Sequence, residues 1–234
     1  MISGAAFCPH PPLLVPAVGT GAAAELDALR AACRDALGKV AADGAALALL
    51  GAGPVSQAFS PSAWGSLAGF GVAADVALGA AGRGGPQLPL SLTVGAWLVA
   101  DTLGPDSGAL GFSVGAGFAS SAAAREVNAL VASRDVVLLV LADGSARRSV
   151  TAPGYLDERA AGFDDAVAAA LRSGDGTALT ALDAALGAEL LAGGVAAWQA
   201  AGALLAGTAY DADLCYAHAP YGVGYLVATW SASA

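Results

Sequence analysis

The sequence predicts an α/β fold in which a mixed, mostly parallel sheet is covered by helices on both faces. Short apolar segments alternate along the chain with segments whose apolar residues recur every three or four positions, which is typical of strands alternating with amphipathic helices. Residues 45–50, and residues 135–141 after the opening Asp135, are continuous apolar runs, as expected of strands buried on both faces. The 234 residues suffice for one core, and no repeat or linker interrupts them, so we expect a single domain over residues 1–234.

The individual elements follow from local patterns. Residues 3–8 form a short apolar strand that stops at the proline-rich segment around His10, because proline lacks the N–H that strand pairing needs. Residues 20–39 fit a helix, since Leu26, Leu29, Cys33 and Leu37 recur at helical spacing. The other predicted strands cover residues 45–50, 72–78, 109–114, 135–141 and 223–230. The other predicted helices cover residues 94–103, 122–132, 156–172, 178–191 and 195–206.

Composition excludes several classes of partner. The net charge is −9, and the only adjacent basic pair is Arg147 and Arg148, so neither nucleic acid nor an anionic membrane surface is an expected ligand. Residues 190–209 are uncharged but consist mostly of Ala and Gly, with Gln199 in the middle, which disfavours membrane insertion. The abundant Ala and Gly indicate a GC-rich bacterial coding sequence, and they would allow close contacts between copies in a homo-oligomer.

The cysteines indicate a reducing compartment. Their number is odd, their spacing is wide, and no C-x-x-C occurs, which argues against a disulfide framework and against a thiolate zinc site. They are Cys8, Cys33 and Cys215. We therefore expect the protein to be cytoplasmic.

Chemistry-bearing residues follow the predicted strands. In open α/β sheets, ligands bind beyond the carboxyl ends of the strands, which is where His10, the turn at residues 51–53 and Asp143 fall. Asp143 is either a catalytic carboxylate or the first residue of a turn that its side chain stabilises. His10 and His218 are the only histidines, too few for a typical hydrolytic or oxidative metal site. The neighbouring Asp164 and Asp165 are expected on an exposed helix face.

Residues 111–115 read Gly-Phe-Ser-Val-Gly, a G-x-S-x-G pattern. With Asp143 and His218 downstream, Ser113 has the chain order of a nucleophile-elbow serine hydrolase. The elbow requires a sharp turn at the serine, whereas the apolar residues at 110, 112 and 114 alternate as if the strand continued through it. The pattern therefore favours a structural serine, with a hydrolase as the outside alternative.

Several segments together resemble one known superfamily. They are CPHPPLLVP at the start, VVLLVLADGS, APGYLDERAAGFDDAVAAALRSGD, GGVAAWQAAGALLAG and, at the end, YAHAPYGVGYLVATW. In order and spacing they are similar to the catalytic B subunits of class III extradiol ring-cleavage dioxygenases and to the MEMO-like proteins. The closing P-[FY]-G-V-G-Y motif, which begins at Pro220 and Tyr221, is the most specific of them.

The resemblance implies a three-layer α/β/α sandwich with its pocket at the strand ends. In the dioxygenase members, two histidines and a carboxylate hold Fe(II), which binds a catechol and O2, and a further histidine acts as acid and base. His10 matches the first family histidine. The other family positions fall on Gly53, Leu90, Ala146 and residues 192–194 (Ala-Gly-Gly), none of which has a donor side chain.

The resemblance thus predicts a scaffold whose metal site has been lost. Asp143 and Ser145 remain from the family's motif after the apolar strand, and together with His10, Gly53, Ala146, Pro220 and Tyr221 they define the expected pocket. We expect no cofactor, and a role in binding an unknown small molecule or a protein partner, with Asp143 and His218 as the remaining catalytic candidates. The alternative is an active Fe(II) dioxygenase that cleaves a catechol at His10 with ligands not recognised in the sequence.

Overall fold

A seven-stranded mixed sheet forms the centre of the molecule. The computed structural model describes residues 1–21, 23–41, 45–80, 82 and 84–233. The strands are β1 (Ile2–Cys8), β2 (Ala46–Ala52), β3 (Gln57–Phe59), β4 (Trp64–Ser66), β5 (Asp75–Ala77), β6 (Leu110–Val114), β7 (Val136–Leu141), β8 (Tyr210–His218) and β9 (Tyr225–Ala232). The order in the main sheet is β3-β6-β2-β7-β1-β9-β8, and β4 pairs with β5 in a separate two-stranded sheet.

The four adjacent strands β6, β2, β7 and β1 are parallel. β9 runs antiparallel to β1, and β8 runs antiparallel to β9, so β8 points in the same direction as the parallel group. β3 pairs antiparallel with β6 at the opposite edge. The predicted mixed, mostly parallel sheet is confirmed.

Helices cover both faces of this sheet. They are α1 (Asp27–Val40), α2 (Leu90–Leu103), α3 (Ala122–Ser133), α4 (Arg159–Ser173), α5 (Gly176–Thr180), α6 (Ala184–Glu189) and α7 (Val195–Leu205). In β7, Val136, Leu138 and Val140 pack into the core beneath α3 to α7, whereas the alternate residues pack beneath α1 and α2. A strand with two buried faces explains why residues 136–141 are continuously apolar.

The predicted single helix over residues 178–191 is wrong, because two short helices lie there. The carboxylate of Asp183 accepts a hydrogen bond from the backbone N–H of Leu186 at 2.9 Å, which begins α6 as a new helix. The apolar spacing continues across the break, so periodicity alone did not reveal it.

The sequence also failed to predict β8. Its residues alternate between exposed and partly buried, and the exposed positions include Asp211 and Asp213. An edge strand has this pattern because only one of its faces packs on the molecule. In the part of the chain that the structure describes, no helix is long and apolar enough to cross a membrane.

Candidate functional site

Two predicted site residues meet at the carboxyl edge of the sheet. Cys8 at the end of β1 pairs with Leu141 at the end of β7, and His10 and Asp143 each lie two residues further along. The backbone N–H of His10 donates to Oδ1 of Asp143 at 2.7 Å. The carboxylate thus fixes the loop that follows β1. The turn expected at Asp143 is not formed, because the N–H of Ser145, which such a turn would use, donates to Asp164 instead.

The imidazole of His10 faces the same carboxylate without bonding to it. Nδ1 of His10 lies 3.7 Å from Oδ1 of Asp143, beyond hydrogen-bond distance, and the two side chains are 12% and 19% exposed. Nδ1 is buried and has no hydrogen-bond partner among the described residues. Because an unsatisfied buried polar atom is costly, Nδ1 makes this edge a candidate binding site.

Tyr225 and Cys33 are buried close enough to Asp143 for its charge to act on them, and Cys8 lies two residues before His10. Burial, and next the negative charge of Asp143, hold the pKa of Tyr225 well above its usual range, so its phenol stays protonated and able to donate. Burial and the neighbouring Cys8 thiol raise the pKa of Cys33. Both thiols are fully buried, and structural buried cysteines are unreactive, so Cys8 and Cys33 belong to the core.

Gly53 lies at the same edge in a position that cannot accept a larger residue. Its N–H donates to the carbonyl of Val114 at 3.0 Å. A Cβ at Gly53 would lie 2.8 Å from the Cβ of Ser113, closer than such contacts occur. A histidine here would require Ser113 to move. Leu90, the first residue of α2, is 40% exposed and offers no donor atom.

Ala146 and residues 192–194 are brought side by side. The N–H of Ala146 donates to the carbonyl of Leu190, and the N–H of Gly194 donates to the carbonyl of Asp143. The loop after β7 therefore runs next to the loop before α7. Both loops border the edge that holds His10.

Pro220 and Tyr221 form a short turn between β8 and β9. Tyr221 has a left-handed backbone, with φ of 58°, and its hydroxyl donates to Oε2 of Glu25 at 2.6 Å. This hydrogen bond joins the turn to the segment that precedes α1. The Glu25 carboxylate is also the main cause of the raised pKa of Tyr221.

The structure does not bring Ser113, Asp143 and His218 together. Ser113 is buried within β6 and donates its hydroxyl to the carbonyl of Val55 at 2.7 Å. His218 ends β8, which is five strand spacings from β6, or about 24 Å. The geometry therefore agrees with a structural serine and does not form a catalytic triad.

His218 instead packs against Tyr216, with the ring centres 4.9 Å apart. It also lines a small cavity of about 70 Å³ together with Arg148, Asp164 and Asp165. Gly224 and Tyr225 at the start of β9 also line this cavity, and the N–H of Gly144 donates to the carbonyl of Gly224 at 2.7 Å, so the cavity borders the loop that carries Asp143.

Asp164 corrects the prediction of an exposed acidic helix face. It is only 4% exposed, and its carboxylate accepts hydrogen bonds from the N–H of Ser145 at 2.8 Å, from Oγ of Ser145 at 2.8 Å and from Nη1 of Arg148 at 2.9 Å. Ser145, expected in the pocket, is fully buried in this network. Asp164 lies four residues from Ala160 and from Ala168 on the buried face of α4, and that spacing could have indicated its burial.

The residues at this edge do not fit the Fe(II) site that the family resemblance implies. An open facial site needs two imidazoles and a carboxylate, and His10 with Asp143 supplies one of each. Across the described ranges, no three His, Cys, Asp or Glu side chains are grouped so that they could hold a metal ion. Protein-family models and curated proteins were compared with the chain, and none matches it.

Proposed function

We propose that this protein is a divergent relative of the class III extradiol dioxygenases and MEMO-like proteins that binds a small molecule at the carboxyl edge of its sheet, without Fe(II)-dependent ring cleavage. The observation that carries the proposal is the imidazole of His10, whose buried Nδ1 lies 3.7 Å from Asp143 and has no hydrogen-bond partner in the described part of the chain. The absence of donor side chains at Gly53, Leu90 and Ala146 supports the loss of the metal.

The chemistry of the edge suits a small ligand with hydrogen-bonding groups close together. Nδ1 of His10 either donates or accepts, according to the tautomer, and the Asp143 carboxylate accepts. The buried phenol of Tyr225, held in its protonated form, adds a donor. Three such groups orient a ligand without requiring a metal ion.

The two alternative functions are a role in protein interaction and an active Fe(II) dioxygenase. A role in protein interaction is favoured by the exposed Tyr155, Leu191 and Tyr221, which lie on loops at this end of the molecule. An active Fe(II) dioxygenase would need further ligands, for example from another protein chain.

Metal titration separates the proposed function from the dioxygenase. The purified protein is titrated anaerobically with Fe(II), Zn(II) and Mn(II), and bound metal and melting temperature are measured for the wild type and for His10→Ala. A metal at 100 times its Kd would stabilise the fold by about 2.7 kcal/mol. We expect no stoichiometric metal and no shift that depends on His10. Stoichiometric iron lost in His10→Ala, with catechol-dependent oxygen uptake, would instead establish the dioxygenase.

Ligand binding is tested with the same histidine. Catechol, resorcinol and benzamide serve as neutral probes, and NMR chemical shifts report their binding. We expect at least one probe to bind the wild type and the His218→Ala control equally, and to lose binding in His10→Ala. If all three proteins respond alike, the small-molecule proposal is wrong.

A further inference from the structure

No carboxylate among the described residues is hydrogen-bonded to Arg147. Its Nε is buried and has no partner among the residues that the structure describes. The two arginines closest to it in sequence are paired, since Arg148 donates to Asp164 at 2.9 Å and Arg159 donates to Asp157 at 2.8 Å. Among the described arginines without an ion pair to another described residue, Arg147 is partly buried, whereas Arg125, Arg134 and Arg172 are exposed.

Asp157, the carboxylate on which the charge of Arg147 acts, is hydrogen-bonded to Arg159 instead. Oδ1 of Asp157 accepts from the backbone N–H and from Nε of Arg159, both at 3.0 Å, and Oδ2 accepts from Nη2 of Arg159. These hydrogen bonds lower the pKa of Asp157 to about 2, and Arg147 contributes only a weaker, longer-range attraction. Asp157 therefore does not satisfy the guanidinium of Arg147.

The lack of a side chain at Gly154 leaves space for the side chain of Arg147. A Cβ at Gly154 would lie 2.8 Å from Cγ of Arg147 and 2.7 Å from Cδ1 of Leu191, so both side chains pack over this residue. Leu191 is 49% exposed and has a left-handed backbone, with φ of 55°. A bulky residue rarely adopts this conformation, and such strain is concentrated at functional sites. The result is a guanidinium with an apolar surface next to it.

Arg147 belongs to the loop that carries Asp143. Arg147 lies four positions after Asp143, so their Cα atoms are at most about 14 Å apart. The N–H of Ala146 donates to the carbonyl of Leu190, which holds Arg147 and Leu191 at the border of the same edge.

We propose that Arg147 recognises an anionic oxygen group, and that the small molecule bound at this edge is an organic carboxylate with an apolar body. The inference rests on the proposed function, since it names the ligand class of that edge. A guanidinium presents parallel N–H groups that match the two oxygens of a carboxylate, and the apolar body would contact Leu191. A monoanion is favoured over a phosphate because the protein's negative charge repels a dianion more strongly.

Matched carboxylate and amide probes test the inference. Benzoate and hexanoate are compared with benzamide and hexanamide, and with inorganic phosphate, by NMR titration of the wild type, Arg147→Gln, Arg147→Lys and the control Arg172→Gln. Arg172 is an exposed arginine in the last turn of α4. We expect the carboxylates to bind more tightly than their amides. Arg147→Gln should weaken carboxylate binding by about 10- to 100-fold, which corresponds to the loss of a charged hydrogen bond.

The control variants and probes distinguish a failure of the carboxylate inference from a failure of the proposed function. Arg147→Lys should retain part of the carboxylate binding, because it keeps the charge but not the planar fork, and Arg172→Gln should retain all of it. Equal binding of carboxylate and amide in every variant would overturn the carboxylate class, while loss of benzamide binding in His10→Ala would still support the proposed function. Phosphate that competes with benzoate and binds more tightly would likewise overturn the carboxylate class.

Discussion

Asp164 and Asp165 are adjacent in sequence and differ in environment. Asp164 is buried and accepts hydrogen bonds from Ser145 and Arg148, whereas Asp165 is exposed. The sequence predicted the same exposed face for both, because a charged pair is usually solvated. Because the two residues are adjacent but differ in burial, replacing each in turn tests how much the hydrogen bonds around Asp164 stabilise the fold.

We predict that Asp164→Ala lowers the free energy of unfolding by about 3 kcal/mol, because it leaves the Arg148 charge and the buried Ser145 N–H without a partner. Asp165→Ala should change stability by no more than about 0.5 kcal/mol. Urea denaturation of the two variants measures both values. Equal losses in the two variants would mean that the network around Asp164 does not stabilise the fold.

At the scale of elements, the helices pack closely through small residues. In α7, a Cβ at Gly202 would lie 2.5 Å from the carbonyl oxygen of Gly176 in α5, so the two backbones are in direct contact. In α4, by contrast, a Cβ at Gly162 would meet nothing within 4 Å. The same residue type therefore serves packing in one helix and has no such role in another.

Gly202→Ala should destabilise the protein by about 2 kcal/mol, because overpacking against a backbone outweighs the better helix propensity of alanine. Gly162→Ala should stabilise it by about 0.5 to 1 kcal/mol, since only the propensity term remains. Thermal unfolding monitored by circular dichroism checks the opposite signs. A stabilised Gly202→Ala variant would contradict the close contact between α5 and α7.

Most helices and strands could be predicted from the sequence. The division between α5 and α6 and the strand β8 could not, for local reasons. β1, β2, β6, β7 and β9 were predicted within a few residues because their apolar runs reflect burial in the sheet. The division between α5 and α6 depends on one capping side chain. β8 was missed because an edge strand buries only one face, so its sequence carries a weaker apolar signal.

At the scale of the whole molecule, the edge strands β3 and β8 could pair with a strand of another chain. β3 has three residues, whereas β8 has nine and carries Asp211 and Asp213 at exposed positions. The pairing of β8 with β9 also shifts register between Leu214 and Tyr216. Charges and irregularities of this kind protect a long edge strand from association.

Replacing Asp211 and Asp213 together with valine should therefore promote self-association, because it creates a β-prone apolar edge. Light scattering during mild heating measures the effect. The control Asp106→Val with Asp165→Val changes the net charge equally at exposed positions outside the sheet. If both double variants aggregate to the same extent, lost charge and not the edge strand is the cause.

Part of the site could also be predicted from the sequence. His10 and Asp143 follow neighbouring apolar strands, and the carboxyl ends of parallel strands share one edge, so their meeting followed from local pattern and a general rule. Arg147 was noted only as half of a basic pair. Its lack of a partner depends on the conformation of Asp157 and Gly154, which no spacing rule reveals.

The layered α/β architecture, and the edge at which chemistry-bearing residues gather, could be predicted from local sequence patterns, because the burial of a strand or helix is reflected in the spacing of its apolar residues. The burial of Asp164, the wide separation of Ser113 and His218, and the lack of a partner for Nε of Arg147 among the described residues follow only from the folded arrangement. These properties depend on strand order and on neighbours distant in the chain, and contacts between distant residues leave no periodic signal in the sequence.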